Sequence, residues 1–363
     1  MRRVTDAYGR PLENLRLAVT AECNYSCIFC HIEGEPLSGP VKPGSLSPLL
    51  KPEDYYVVSR AAYYLGIDSF KVTGGEPLVR NDIVSVISEL RRGNPSAEIS
   101  MTTNGYLLGK YLGKLVEAGL DRVNVSLHSL RRERYRFITG VNALNLIKNN
   151  INIVKDFGLP LKLNAVVLRG VNDDEVFDLI DYAWRNNATL QLIELHPVGL
   201  GAKFFNKYYY PLVLIERELV QRGARVTRRK LHNRPIYMLP NGARVEIVKP
   251  YGNPMFCLGC TRIRVGPFGD LSPCLNWSGK RPTLLPAIRR GTPEERILNA
   301  VRLILKVNSM RKPFFLPQIK QDGVKKLNYN NIVQSLRIDI PKKKRYRELL
   351  AELESQLLNR ETL

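Results

Sequence analysis

The sequence predicts an α/β protein, an incomplete, curved (βα)6 barrel of the TIM type followed by a small C-terminal domain. Three observations carry this. Six short β-rich runs occupy the first two hundred residues, each gap between them has room for a helix, and polar, Gly-rich or thiol-bearing residues follow every run. Strands alternating with helical patterns imply a parallel sheet with helices packed outside it. In barrel architectures of this kind the chemistry gathers at the C-terminal ends of the strands.

The predicted strands are 15–19, 69–73, 98–103, 122–127, 162–168 and 190–195, and helices are expected over 52–65, 82–91, 108–118, 143–157 and 173–185. Several strands read Val/Leu/Ile-rich on both faces, as buried parallel strands do. The residues that should meet at one rim are 20–30, Gly74-Gly75-Glu76-Pro77, Asn104-Gly105, His128-Ser129, Arg169-Gly170 and His196-Pro197. Residues 35–50, rich in Pro, Gly and Ser, read as a surface loop over the first cysteine segment. A barrel over 1–243 is expected to give way to a second domain over 244–315, opening with a strand at 245–248. A basic extension over 316–363 then ends in an amphipathic helix, where Tyr346, Leu350, Leu353 and Leu357 form a stripe. Such a stripe docks on its own chain or pairs two copies in a homodimer.

The chain of 363 residues is 44% hydrophobic and 25% charged, the composition of a globular protein with its own core. It begins MRRVTDAYGR, without an apolar leader, and nowhere runs to the ~18 apolar residues of a membrane span. A reducing cytoplasm is therefore the expected setting, with no membrane partner. With 55 Lys and Arg against 34 Asp and Glu, the net charge of +21 suits a polyanionic ligand, either nucleic acid or a nucleoside triphosphate. A solvated basic surface would account for it as well.

Six cysteines fall into two triads with none left over: Cys23, Cys27 and Cys30 as C-x3-C-x2-C, and Cys257, Cys260 and Cys274 as C-x2-C-x13-C. Clustered thiols in a reducing compartment are metal ligands or catalysts more often than disulfides. Three thiolates on a four-iron cluster leave one iron open for a small molecule, so two triads suggest two clusters. Zinc is the rival, chiefly at the second triad, whose C-x2-C is common zinc spacing.

Gly74-Gly75-Glu76-Pro77 lets backbone amides and carbonyls approach a ligand closely, and Glu76 is suited to accept hydrogen bonds from an ammonium group. Arg262 and Arg264 alternate around Ile263, so a strand there would aim both to one side, next to Cys260. Lys71 and Lys162 lie within predicted strands, where a lysine needs a partner. The histidines His31, His128, His196 and His232 read as structural or hydrogen-bonding groups.

With the first triad and the Gly-Gly-Glu-Pro turn one strand apart, the chain resembles the radical S-adenosylmethionine superfamily. Within it, Thr102-Thr103-Asn104-Gly105, Val123 to Leu127, Asn164 to Val167, Gly170 to Asp173, and Cys257 through Arg264 and Cys274 resemble the GTP 3′,8-cyclase family, over roughly residues 5–315. The archaeal branch is the more similar, through Cys30-His31 and Leu231-His232-Asn233-Arg234. The resemblance implies two 4Fe-4S clusters and S-adenosyl-L-methionine as cofactors. Cys23, Cys27 and Cys30 would hold the cluster that cleaves S-adenosylmethionine, and Cys257, Cys260 and Cys274 a second cluster, in the C-terminal domain, that meets the guanine ring. Phe29, Gly75, Ser126 and His196 would bind S-adenosylmethionine. Arg16, Lys71, Thr102, Lys162, Arg262, Ile263 and Arg264 would bind GTP, with Arg16, Arg262 and Arg264 catalytic.

The implied reaction is the first step of molybdenum cofactor biosynthesis, a lyase reaction in which a 5′-deoxyadenosyl radical takes hydrogen from C3′ of GTP and C3′ then closes on C8. Its implied partners are an electron donor such as ferredoxin or flavodoxin, and cyclic pyranopterin monophosphate synthase downstream. The chain departs from the common bacterial pattern at Lys71, His128 and His196, and ends Glu361-Thr362-Leu363 rather than Gly-Gly. Two other readings stay open: a related enzyme with an auxiliary cluster acting on RNA or peptide, and a zinc-bearing nucleic-acid-binding protein. The second leaves the Gly-Gly-Glu-Pro turn and the six strand ends unexplained.

Overall fold

A computed structural model of the chain describes residues 4–33 and 49–315. The expected 35–50 loop, apart from its last two residues, and the C-terminal extension with its amphipathic helix lie outside the described residues. The strands are β1 (Asn14–Ala18), β2 (Ser69–Thr73), β3 (Glu98–Thr103), β4 (Arg122–Ser126), β5 (Leu161–Val167) and β6 (Thr189–Glu194), followed by β7 (Arg225–Arg228), β8 (Pro235–Met238), β9 (Arg244–Val248), β10 (Arg262–Val265) and β11 (Leu271–Ser272). The first six fall within a residue of the predicted runs.

All eleven belong to one sheet, ordered β11-β10-β1-β2-β3-β4-β5-β6-β9-β8-β7. From β10 through β9 every neighbouring pair is parallel, while β11 and the β7–β8 hairpin run antiparallel at the two edges. The six predicted strands are thus extended at both ends by strands from the second half of the chain. The sheet stays open, since β10 and β9 each turn to an antiparallel partner rather than to one another.

Helices α1 (Pro52–Tyr64), α2 (Ile83–Gly93), α3 (Leu108–Glu117), α4 (Arg132–Thr139), α5 (Leu144–Asp156) and α6 (Val176–Arg185) fill the crossovers between β1 and β6. Beyond β6 come α7 (Leu200–Tyr208), α8 (Val213–Gln221), α9 (Pro254–Leu258), α10 (Leu285–Ile288) and α11 (Pro293–Ser309). The last packs against α1. It starts at a capping box in which Glu295 accepts from the Thr292 amide at 2.8 Å.

The core lies between the sheet's outer face and these helices. Leu15, Leu17, Phe70, Val72, Ile99, Met101, Val123, Val125, Leu163, Ala165, Leu190 and Leu192 all face it and are buried. The opposite face corrects the expectation of strands apolar on both sides. Period-2 alternation turns Asn14, Arg16, Lys71, Ser100, Asn124, Asn164 and Gln191 to the concave side. A buried polar face of this kind needs a polar occupant or a polar network.

Candidate functional site

The concave face encloses a cavity of about 510 Å³, lined by every parallel strand and by the segments that carry the second cysteine triad. Its side chains include ten lysines or arginines against four carboxylates, so its natural occupant is a polyanion. Lys71 is buried and its Nζ has no hydrogen-bond partner among the described residues. Burial first, and then Arg122, Arg16, Arg262 and Lys162, drive its pKa well below the ordinary lysine value. Asn124 Oδ1, Asn164 Oδ1 and His196 Nδ1 on this wall are also buried without hydrogen-bond partners among the described residues. Polar atoms orphaned in this way are the mark of a chamber shaped for a bound molecule.

The first cysteine loop is threaded across the C-terminal ends of the strands, as the sequence anticipates for 20–30. Gly75 N donates to Thr20 O at 2.9 Å and Glu76 N to Glu22 O at 2.8 Å, while Asn104 Nδ2 reaches Asn24 Oδ1 at 2.7 Å. Ile28 N donates to Ile138 O, and Leu200 N to Cys30 O at 2.8 Å. A Cβ on Gly75 would stand 2.1 Å from Glu22 O, so only glycine lets these segments meet. Gly199 plays the same part at α7, where its φ of +59° and its approach to Cys30 O exclude a side chain. Glu76 is buried, and its carboxylate already accepts from Thr103 Oγ1 at 2.7 Å, Asn104 N at 2.6 Å and Leu78 N at 3.0 Å. Burial still pushes its pKa up to about 7, so an arriving ammonium group would favour its ionised form.

All six cysteines are free thiols. At Cys27 and at Cys274 burial raises the thiol pKa first, and the neighbouring thiols of the same triad raise it further. Among the described residues no three Cys, His, Asp or Glu side chains gather around the position of a single ion. Two loops of three thiols outside any disulfide, opening on a chamber lined by buried polar atoms, have the donor chemistry that iron–sulfur clusters with one open iron require.

The second triad is braced by buried arginines. Arg10 Nη1 donates to Cys257 O at 2.8 Å, Arg311 donates to Cys260 O, and Asp6 pairs with both guanidinium groups, at 2.7 and 3.6 Å. Burial acts to raise the Cys260 thiol, but Arg311, Arg10 and Arg262 outweigh it and hold the thiol below its ordinary value. His232, at a φ of +61°, stacks on Phe256 with ring centroids 4.0 Å apart. Gly259 packs directly on that turn.

Of the residues singled out from the sequence, Arg16, Phe29, Lys71, Thr102, Ser126, His196, Arg262, Arg264, Cys257, Cys260 and Cys274 line the cavity. Phe29 stacks edge-on against His128 at 4.6 Å, and burial holds that histidine neutral, with its pKa at about 3. His196 Nε2 is 2.9 Å from Asn276 Oδ1, joining the end of β6 to the Cys274 loop. Arg262 and Arg264 do share one face, the first donating to Asn14 Oδ1 and the second pairing with Glu33. Ile263 points the other way and is fully buried. Lys162 is held by Glu246 and, like Gly75, Cys23, Cys27 and Cys30, is not among the described lining residues.

Sequence reasoning missed Glu33, Arg122, Arg229, Arg234 and Asn276. Arg234 reaches Gln191 Oε1 at 3.1 Å and Glu246 at 3.0 Å from the β7–β8 hairpin, an element the sequence reading did not predict.

A parallel sheet of βα units, open on one side and carrying a C-x3-C-x2-C loop over its strand ends, defines a radical S-adenosylmethionine protein. Residues 17–183 match the radical SAM superfamily and residues 188–313 match Molybdenum Cofactor Synthesis C. Among solved structures the fold is similar to Streptococcus suis SuiB bound to S-adenosylmethionine, with a TM-score of 0.58 at 17% identity over 76% of this chain and 64% of that one. It is also similar to native anSMEcpe with bound AdoMet, with a TM-score of 0.53 at 16% identity over 96% and 99% of the two chains. The chain thus spans just under two thirds of SuiB and nearly all of anSMEcpe.

Curated relatives narrow the class. "Probable GTP 3′,8-cyclase" of Aeropyrum pernix is 45% identical over 86% of this chain and 88% of its own. The protein of that description from Thermococcus kodakarensis is 39% identical over 85% and 99%. The chain belongs to the GTP 3′,8-cyclase family.

Proposed function

We infer that the protein converts GTP to (8S)-3′,8-cyclo-7,8-dihydroguanosine 5′-triphosphate, the first step of molybdenum cofactor biosynthesis. The observation that carries this reading is one cavity bounded by a cation-rich strand face, the second cysteine triad, and Phe29 and His31 of the first cysteine loop. When bound, the clusters and S-adenosylmethionine supply a carbon-centred radical able to take a hydrogen atom from the substrate.

The chain's own residues do the rest. Cys23, Cys27 and Cys30 would hold one cluster, with Phe29, Gly75, Ser126 and His196 around S-adenosylmethionine. Cys257, Cys260 and Cys274, within 244–315, would hold the other. Lys71, Arg122, Arg229 and Arg234 crowd positive charge onto one wall, and a triphosphate there would relieve it. Thr102 and Asn124 offer hydrogen-bond partners on the same concave face, and Arg262 and Arg264 line it at the other edge, beside the second triad. Lys162 would act through Glu246, and Ile263 by setting the arginines on either side of it. Holding both ends of GTP fixes the ribose against the base, which is what a ring closure within one molecule demands. The chamber walls also keep water from a reactive carbon centre.

No described helix is long and apolar enough to cross a membrane. A cytoplasmic setting, a ferredoxin or flavodoxin as electron donor, and cyclic pyranopterin monophosphate synthase as the consumer of the product complete the reading.

The test is anaerobic. Protein reconstituted with iron and sulfide is incubated with S-adenosylmethionine, dithionite and GTP, and the products are resolved by liquid chromatography and mass spectrometry. About eight irons per chain and GTP-dependent 5′-deoxyadenosine together with cyclised nucleotide are expected. Cleavage of S-adenosylmethionine without cyclised GTP would refute the substrate, and zinc in place of iron would refute the chemistry.

A further inference from the structure

We propose that Glu33 is a positioning residue that sets Arg16 and Arg264 for the chemical step, an assignment that rests on the GTP-cyclising reading above. Glu33 lies three residues beyond Cys30, yet its carboxylate is buried on the seam between β1 and β10. Arg16 and Arg264 are direct neighbours there in the strand register. Arg16 grips the carboxylate with both arms of its fork, Nε at 2.6 Å and Nη2 at 2.5 Å. Arg264 pairs with the same carboxylate, and His31 Nε2 stands 3.1 Å from it.

The turn that brings Glu33 inward is an uncommon one. Ile32 adopts a φ of +54°, a left-handed conformation that a β-branched residue takes only when its surroundings enforce it. Its amide donates to Cys30 Sγ at 3.3 Å, so the first cysteine loop and the Glu33 carboxylate form one continuous turn. Both guanidinium groups also face Arg262, and Arg264 faces the second triad at Cys274 and Cys260. One carboxylate therefore ties the loop of the first triad to the strand that follows the second.

This arrangement separates two jobs that a cationic site could confuse. With Glu33 between them, Arg16 and Arg264 are not free charges waiting for phosphate. Lys71, whose Nζ has no hydrogen-bond partner among the described residues, is better placed for that role. Oriented by one shared carboxylate, the two arginines are instead held at fixed positions, with Arg264 next to the second triad. Loss of the carboxylate charge should then injure turnover and not binding, because two newly released cations would add to the attraction for a polyanion.

The experiment compares iron-loaded wild type, Glu33→Gln and Glu33→Asp by iron content, by GTP affinity in equilibrium dialysis without S-adenosylmethionine, and by turnover. For Glu33→Gln the expected result is full iron, a GTP Kd equal to or below that of wild type, and kcat reduced about tenfold or more. The yield of cyclised nucleotide per 5′-deoxyadenosine should fall as well. Glu33→Asp keeps the charge but shortens the reach, and should lose kcat at unchanged Kd. It decides the matter if the glutamine variant does not fold. Loss of GTP affinity in step with turnover would make Glu33 part of the binding site, and loss of iron would make it structural. Either result, or wild-type kcat in both variants, overturns the proposal. Cyclisation by the wild type is read in the same assay, so failure of the parent reading is seen separately.

Discussion

The two cysteine loops hold the same number of thiols in opposite surroundings. The first is a loop of little regular structure, with Cys23 exposed and Cys27 and Cys30 half-buried, fixed largely by backbone hydrogen bonds to the turn after β2, the end of α4 and the start of α7. Its nearby carboxylate, Glu76, adds to the rise in the Cys23 pKa after burial. The second is pinned by guanidinium groups: Arg10 and Arg311 hold the carbonyls of Cys257 and Cys260, and Arg262 stands beside them. Cations next to a thiolate-bound centre favour its more negative states and fix it in place. The difference fits the proposed division of labour, in which the first loop would hold an accessible centre for electron entry and cofactor turnover and the second a rigid one against which substrate would be held.

The largest effect should come from removing the arginines that face the second triad. Arg262→Ala combined with Arg264→Ala should lower GTP cyclisation by about a hundredfold or more while leaving the iron count intact. Loss of iron in that variant would break the comparison by giving the pair a structural role. A smaller, selective effect is expected at Arg311, fully buried with its guanidinium on Cys260 O and Asn308 Oδ1. Arg311→Ala leaves Asp6 without one of its two cations, at a cost of about 3 kcal/mol. It should shed iron from the second loop before the first, seen as about half the iron lost during gel filtration.

The smallest effect concerns the cavity's far wall. Burial acts to raise the Glu246 carboxyl, but Arg234, Lys162 and Arg229 hold it at about 2 against an ordinary 4.5. Since the folded value is the lower one, its stabilisation is complete above pH 4.5 and is lost as pH falls towards 2. Lys162 is itself lowered to about 8, because burial outweighs its partner, so the pair contributes less than the carboxylate alone. Three cations face that carboxylate, and its direction should prevail. The melting temperature should fall between pH 5 and pH 3, and Glu246→Gln should flatten that slope (roughly one titrating group's worth).

Where signal and structure share a short stretch of chain, the sequence was a good guide. Period-2 runs placed β2 and β3 to the residue, and the Arg262-Ile263-Arg264 alternation foretold which side chains share a face. The polar faces of β4 and β5 were also written in the alternation of Asn124 and Asn164 with apolar neighbours, yet the apolar half dominated the reading. Other features depend on partners far away in sequence. Arg10 meets Cys257 across 247 residues, Arg264 meets Glu33 across 231, and β10 joins β1 to extend the sheet. No local pattern marks such pairs. The β7–β8 hairpin was missed because Arg225–Arg228 is exposed throughout, so no apolar face announces it.

The division of labour between the two loops is tested most directly by disabling each in turn. Cys27→Ala and Cys260→Ala would be loaded with iron and compared for GTP binding, S-adenosylmethionine cleavage and cyclised product. The account predicts that Cys27→Ala still binds GTP but forms no 5′-deoxyadenosine. Cys260→Ala should still cleave S-adenosylmethionine in the presence of dithionite, yet cyclise no GTP. Cyclised product from Cys260→Ala, or 5′-deoxyadenosine from Cys27→Ala, would contradict it.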